Sequence, residues 1–160
     1  MSYFYDYVKS LGDSPIDIYV DMDGVVADYD FQGYKNDGNN PDIYFDKRPI
    51  NSSITPLKEV SELDNVNIYI LSVARYESQI QGKVRWLKKY MDFIGLDHIN
   101  ILPRDTNDFT KAKELKYKYL EGNINRDHIN IHIDDSHDVL RYLNEMEDKI
   151  ILLHVTSLLD

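Results

Sequence analysis

Five short apolar runs alternate with segments of helical periodicity, and this alternation restricts the fold more than any other feature of the chain. The apolar runs predict strands over residues 16–22, 67–72, 99–102, 129–133 and 150–155. The periodic segments predict helices over residues 2–11, 57–63, 78–93, 111–120 and 138–147. Strands that alternate with helices pair in parallel through right-handed crossovers, with helices on both faces of the sheet. The sequence therefore predicts an α/β fold, a Rossmann-like three-layer sandwich with a mostly parallel sheet.

The chain has the length of one ordinary domain. Its 160 residues contain no internal repeat, low-complexity tract or linker rich in Pro, Gly and Ser, so we predict a single domain over residues 1–160. Residues 30–56 follow the first strand and mix turn-forming residues with aromatic ones. We expect this segment to be a small cap insertion that contributes to specificity.

Composition and charge limit the classes of partner. The chain has no cysteine, which excludes disulfides and thiolate metal sites and suits a reducing cytoplasm. Its N-terminus lacks a signal-peptide pattern, and its longest apolar runs are far shorter than the ~20 residues of a membrane span. A net charge of −10 disfavours a nucleic-acid duplex. We expect a cytoplasmic protein whose partner is a small anion, held with the help of a divalent cation.

Polar side chains follow three of the predicted strands. Asp21 ends the first, Ser72 the second, and the pair Asp134 and Asp135 the fourth, while Asp23 lies two residues beyond Asp21. Because ligands bind at the carboxyl ends of strands in such sheets, these residues should gather at one edge. Four carboxylates would repel each other there unless a cation intervened, and Mg²⁺ prefers oxygen ligands. The alternative is that these acids are ordinary helix caps and solvated loop residues.

These residue types fit phosphoryl chemistry. A carboxylate such as Asp21 can act as a nucleophile that forms an aspartyl-phosphate. Asp23 suits general acid–base catalysis, provided that its pKa is raised toward the working pH. Gly24 allows a close turn whose following N–H groups can point at phosphate oxygens, and Ser72 offers a hydroxyl donor.

A cation is also needed to balance the charge of a transferring phosphoryl group. Lys111 opens a predicted helix and is our candidate, with Lys113 as the alternative.

Trp86 is predicted to pack in the core. The five histidines show no spacing typical of metal ligands, and we assign them no role.

Four segments together resemble the haloacid dehalogenase (HAD) superfamily of phosphohydrolases. They are "DMDGVVAD" at residue 21, "IYILS" ending at Ser72, a lysine, and "IHIDD" ending at Asp135, over about 115 residues. The resemblance implies a HAD-like fold, a magnesium ion, and hydrolysis of a phosphomonoester. Because an alkoxide leaving group needs an acid whereas a halide does not, Asp23 favours phosphatase over dehalogenase activity.

A narrower resemblance is to the 5'(3')-deoxyribonucleotidase group, through "DMDGVVADYD", "GKVRWLKKYM" and "ILPRD". It implies that Asp21 is both nucleophile and magnesium ligand, and that Asp23 is the acid–base whose carbonyl also binds the metal. It further implies that Asp135 binds the metal directly with Asp134 beside it, that Ser72 holds the phosphate, and that Arg104 binds substrate. The chain departs from this group in lacking a lysine soon after Arg104 and in having a shorter insertion.

We therefore expect a magnesium-dependent phosphomonoester hydrolase whose substrate is a nucleoside monophosphate. An aromatic ring in the insertion can stack on the base, the candidates being Phe31, Tyr34, Tyr44 and Phe45. Three alternatives stay open: a phosphatase of another small phosphate, a polynucleotide 3'-phosphatase, and a phosphate-binding domain without turnover, either receiver-like or catalytically silent.

Overall fold

The structure is a computed structural model that describes residues 1–29, 42–104 and 110–159. The α-helices and strands in chain order are α1 (Tyr3–Ser10), β1 (Ile16–Val20), α2 (Asp42–Phe45), α3 (Asn51–Ser61), β2 (Val66–Ala74), α4 (Glu77–Tyr90), β3 (Ile99–Pro103), α5 (Ala112–Asn123), β4 (Ile129–Asp134), α6 (His137–Leu143) and β5 (Ile151–His154). Two short 3-10 helices lie at Leu96–His98 and Val155–Leu158. Within these residues, no helix is long and apolar enough to cross a membrane.

The strands form a parallel five-stranded sheet in the order β3-β2-β1-β4-β5. Ile16 of β1 pairs with Val66 of β2 on one side and with Ile129 of β4 on the other. The predicted α/β Rossmann-like fold is confirmed. Since all five strands run in the same direction, their carboxyl ends share one edge, where Asp21 after β1, Ser72 near the end of β2 and Asp134 at the end of β4 lie.

The alternation of side chains along the central strand divides the core into two apolar layers. Ile16, Ile18 and Val20 of β1 pack with buried residues of α1, α3 and α4 on one face. Tyr19 of β1 packs with residues of α5 and α6 on the other face. A strand with helices on both faces has no solvated side, which is why all of β1 is buried.

Even the polar residue of β1 is buried, at the opposite edge of the sheet from its carboxyl end. Asp17 accepts hydrogen bonds from Asn67 Nδ2 at 3.0 Å and contacts His128 Nδ1 at 2.8 Å. A buried carboxylate without such partners would destabilise the fold. Asp17 therefore links the amino-terminal ends of β1, β2 and β4 and leaves the carboxyl edge to other acids.

The largest differences from the predicted elements concern two helices, while the ends of the other elements move by no more than four residues. The helix predicted over residues 57–63 begins six residues earlier and includes Pro56 in its interior. Residues 42–45, within the predicted insertion, form the short helix α2. Pro usually marks a helix start because its ring prevents an interior hydrogen bond. Here Ile54, Pro56, Leu57 and Val60 are all buried, and burial of this face keeps the helix continuous through the proline.

Candidate phosphoryl-transfer site

A tight turn follows β1 and places the first two acids. Asp21 N donates to Ile133 O at 2.9 Å, so Asp21 continues the pairing with β4. Gly24 has a φ of +78°, which favours glycine. A Cβ at this position would also collide with the carboxylate of Asp135 and the ring of Tyr29. Gly24 is therefore required for both its backbone conformation and the space that it leaves for Asp135.

The N–H groups that follow Gly24 were expected to point at phosphate oxygens, and in the structure they have other acceptors. The N–H groups of Val25, Val26 and Ala27 all donate to Met22 O, and Gly24 N donates to Ala27 O at 2.8 Å. The N–H groups after Gly24 thus close the turn on itself instead of pointing at a phosphate. The compactness of the turn, which the positive φ permits, is the reason.

Three carboxylates meet at the carboxyl ends of β1 and β4. Oxygen atoms of Asp21, Asp134 and Asp135 all lie within 4.8 Å of one another, with Asp21 and Asp134 buried and Asp135 partly buried. Tyr29 donates its hydroxyl to Asp135 Oδ2 at 2.8 Å. An all-oxygen donor set of this size fits Mg²⁺, which binds one or two carboxylates and keeps several waters. The carboxylate of Asp23, the fourth predicted acid, faces a different set of partners.

Among the described residues, Lys116 is the lysine that forms ion pairs with this cluster. Its Nζ lies 3.1 Å from Asp21 Oδ1 and 2.6 Å from Asp134 Oδ2, and its side chain is almost fully buried. Lys111, our candidate from the sequence, is exposed and precedes the first turn of α5. The alternative Lys113 pairs with Asp138 at 2.9 Å at the surface. Lys111 and Lys113 lie at the start of α5 and outside its buried face, whereas Lys116 shares that face with Leu120.

Burial and mutual repulsion set the protonation of the cluster. Burial raises the pKa of Asp21 to about 7, with Asp134 and Asp23 adding to the rise and Lys116 opposing it. Burial also raises the pKa of Asp135, against the hydrogen bond from Tyr29. For Asp134 the effect of burial is outweighed by the hydrogen bond from His132 and by Lys116, which lower its pKa to about 2. The positive charge of Lys116 thus offsets the effect of burial on Asp21 only in part, and a cation bound beside Asp21 would favour its ionised form.

Asp23 is held by two lysines. Its Oδ1 lies 2.7 Å from Lys47 Nζ and its Oδ2 lies 2.8 Å from Lys83 Nζ. Lys83 is fully buried and also donates to Ser72 Oγ at 2.8 Å and to Val73 O at 2.9 Å. Burial would raise the pKa of Asp23, but Lys83 and Lys47 together bring it below the ordinary value. The raised pKa that we expected for an acid–base residue is thus not found in the free protein.

Helix α4 supplies the buried lysine through a polar position on its inward face. Its buried residues, Gln79, Gly82, Lys83, Trp86 and Leu87, are spaced by three or four residues. Trp86 is in the core, as predicted, and its Nε1 also donates to Lys47 O at 2.7 Å. This hydrogen bond fixes the segment that carries Lys47.

Four residues of the site were not predicted from the sequence: Lys47, Lys83, Lys116 and Tyr29. A lysine on the apolar stripe of an amphipathic helix is a signal that it has a buried partner, and this signal was available for Lys83 and Lys116. No comparable pattern marks Lys47 or Tyr29, which reach the site from irregular segments.

The predicted substrate-binding residues lie at different distances from the site. The Tyr44 ring lies 4.6 Å from Lys47 Nζ and 4.7 Å from Lys83 Nζ, at the site. Phe45 instead lies against Arg85 and Lys89 of α4. Arg104 directly follows β3, next to the end of β2. Phe31 and Tyr34 lie outside the described residues.

Comparisons with known proteins support the fold. Neither a protein-family model nor a curated protein matches the sequence. Among solved structures, a chain of the Pnkp1/Rnl/Hen1 RNA repair complex matches 88% of this chain with a TM-score of 0.64 and 17% identity. A chain from another structure of the Pnkp1/Rnl/Hen1 complex matches 88% with a TM-score of 0.63 and 17% identity. This chain spans 43% and 46% of the lengths of those chains, and at such identity the likeness shows the fold alone.

Proposed function

We propose that the protein is a magnesium-dependent phosphomonoester hydrolase that works through an aspartyl-phosphate on Asp21. The observation that carries the proposal is the position of the Asp21 carboxylate, which lies within reach of Lys116 and of two further acids at the carboxyl edge of the sheet. Parallel α/β sheets bind ligands at this edge, where the strand order reverses between β1 and β4.

In the first step an oxygen of Asp21 attacks phosphorus, and the bond from phosphorus to the ester oxygen breaks. Asp23 gives a proton to the departing alkoxide and afterwards takes one from the water that hydrolyses the aspartyl-phosphate. Ser72 donates a hydrogen bond to the phosphoryl group, Lys83 does so by giving up its hydrogen bond to Asp23 Oδ2, and Lys116 orients Asp21 through its contact with Oδ1. Mg²⁺ held by Asp21 and Asp135, with Asp134 beside them, would neutralise charge on the phosphoryl group.

The incoming phosphate explains how Asp23 obtains its proton. In the free protein Lys47 and Lys83 favour the ionised form of Asp23. A phosphoryl group that binds between these lysines competes for their charge and hydrogen bonds. It therefore raises the pKa of Asp23 above its value in the free protein, in the state in which an acid is needed.

A nucleoside monophosphate is the substrate that the sequence resemblance favours, and Tyr44 offers a ring beside the site for its base. A second candidate is a polynucleotide end that carries a 3'-phosphate. The structural likeness to a chain of an RNA repair complex favours this candidate.

The test is phosphate release from a panel that contains nucleoside 5'- and 3'-monophosphates, a 3'-phosphorylated oligonucleotide, sugar phosphates and phosphoamino acids. We expect turnover with magnesium and none with a chelator. Asp21→Asn should remove turnover while the circular dichroism spectrum stays unchanged. Absence of turnover on every ester, or turnover that survives the chelator, would reject the proposed function.

A further inference from the structure

A cavity of about 290 Å³ adjoins the phosphoryl site on the side of β2 and β3. The residues that line it are Tyr44, Val73, Arg75, Tyr76, Gln79, Arg104 and Ala112. Two of them also contact Lys83 of the site: the Val73 carbonyl accepts from its Nζ, and the Tyr44 ring lies 4.7 Å from it. The cavity and the phosphoryl site therefore share a wall.

Two arginines, Arg75 and Arg104, line this cavity from the ends of neighbouring strands. The register of β2 and β3 pairs Ala74 with Pro103, and Arg104 N donates to Ala74 O at 2.8 Å. Arg75 and Arg104 directly follow these two residues, one position beyond the end of each strand, with Arg75 exposed and Arg104 half-buried. Arg75 N donates to the buried Gln79 Oε1 at 3.0 Å, so α4 fixes the backbone that carries the first arginine.

Neither guanidinium has an acidic partner in the described part of the chain. None of the ion pairs found there includes Arg75 or Arg104. Arg104 Nε is buried without a hydrogen-bond acceptor. The described lining contains no carboxylate, although the chain has 28 acidic and 18 basic residues. Two adjacent like charges repel each other, and an anion between them relieves that repulsion.

We propose that Arg75 and Arg104 bind a second phosphate group of the substrate, so that the preferred substrate is a nucleotide that carries two phosphates. This inference rests on the proposed function. Arg75 lies three residues beyond Ser72, or about 10 Å along an extended strand, so it is placed for a phosphate group other than the one that Ser72 binds. A guanidinium pair matches phosphate because its planar fork donates two parallel hydrogen bonds. The second phosphate is either a terminal monoester or the diester of an oligonucleotide.

The test measures binding separately from turnover. In the Asp21→Asn background with magnesium, titration calorimetry compares a nucleoside 3',5'-bisphosphate and a 3'-phosphorylated dinucleotide with the 3'- and 5'-monophosphates of the same nucleoside. We expect at least one ligand with a second phosphate to bind about 10- to 100-fold more tightly than either monophosphate. Arg75→Gln should bring that ratio close to one, and Arg75→Lys should retain part of it. Arg141→Gln, at an exposed position on α6, is the matched control and should keep the full ratio.

Equal affinity for ligands with one and with two phosphates would overturn the inference, as would an equal loss of both in Arg75→Gln. Tighter binding of the bisphosphate identifies the second phosphate as a terminal monoester, and tighter binding of the dinucleotide identifies it as the diester of an oligonucleotide. Turnover assays with the wild-type protein distinguish failure of this inference from failure of the proposed function. Hydrolysis without preference for a second phosphate refutes this inference alone, whereas absence of all hydrolysis refutes the proposed function.

Discussion

At the scale of single residues, the candidate site is a balance between buried acids and the lysines that reach them. The acids were predictable because they end apolar runs, and a parallel sheet brings strand ends together whatever the details of packing. The lysines come from helices, and their contacts depend on how each helix is rotated against the sheet. Lys116 lies only five residues beyond Lys111, yet this offset decides which of the two is buried beside Asp21.

Replacement of Lys116 by Met should remove turnover and destabilise the protein by about 3 to 5 kcal/mol, because two buried carboxylates lose their charged partner. Lys113→Met is the matched control on the same helix. Its pair with Asp138 is exposed, so the loss should stay below about 1 kcal/mol and activity should persist. Urea unfolding and phosphate release measure both effects. The assignment of Lys116 fails if the two variants behave alike.

The raised pKa of Asp21 predicts a pH dependence of stability. Burial raises this pKa from 3.8 to about 7, so in this range the folded protein holds a proton that the unfolded chain releases. The contribution of Asp21 to stability is fully present below about pH 4 and is lost as the pH rises through about 7. In chelator, wild type should therefore lose stability relative to Asp21→Asn over this range, by up to about 4 kcal/mol. Parallel pH profiles from urea unfolding would contradict the assignment.

At the scale of elements, the turn after β1 joins the sheet to the site. The strands were predicted well because each apolar run is short and has turn-forming or polar residues at its end. Helix α3 was predicted too short because Pro56 looked like its start, and only tertiary burial keeps a helix through a proline. Local patterns thus located the strands, while packing determined the limits of this helix.

Gly24→Ala tests the turn after β1, and Gly12→Ala is its control because both glycines have a positive φ. Gly12 also has positive φ, at +96°, but a Cβ there would meet nothing within 4 Å. Alanine at either position introduces backbone strain of about 1–2 kcal/mol. At Gly24 the collision with Asp135 and Tyr29 should add about 1–3 kcal/mol and should weaken magnesium binding. Equal unfolding free energies for the two variants would show that the space beside Asp135 is not needed.

At the scale of the whole molecule, the chain places β2 and β3 on one side of β1, and then β4 and β5 on the other side. The acids at the ends of β1 and β4 therefore lie at the boundary between these two halves of the sheet. Four acids meet at this edge, Asp21, Asp23, Asp134 and Asp135, and three lysines pair with them: Lys47, Lys83 and Lys116. A divalent cation bound there should stabilise the fold as a whole, because it binds the folded state and not the unfolded chain.

Magnesium should therefore raise the melting temperature of the protein by roughly 5 to 10 °C once it exceeds its Kd about 100-fold. Asp135→Asn should lose most of this rise because it removes one of the three clustered carboxylates. Asp138→Asn, an exposed neighbour three residues on, should keep it. Thermal melts in chelator and in magnesium give the comparison, and a rise of equal size in both variants would place the ion elsewhere.

The most direct test of the account is to trap the phosphorylated protein. A substrate that turns over in the panel is labelled in its phosphate, mixed with the protein in magnesium for a single turnover, and quenched in acid. We predict that the label is recovered on the peptide that contains Asp21 and is absent from the same peptide of Asp21→Asn. Complete hydrolysis without label on that peptide at any quench time, or label on another residue, would contradict the claim that Asp21 receives the phosphoryl group.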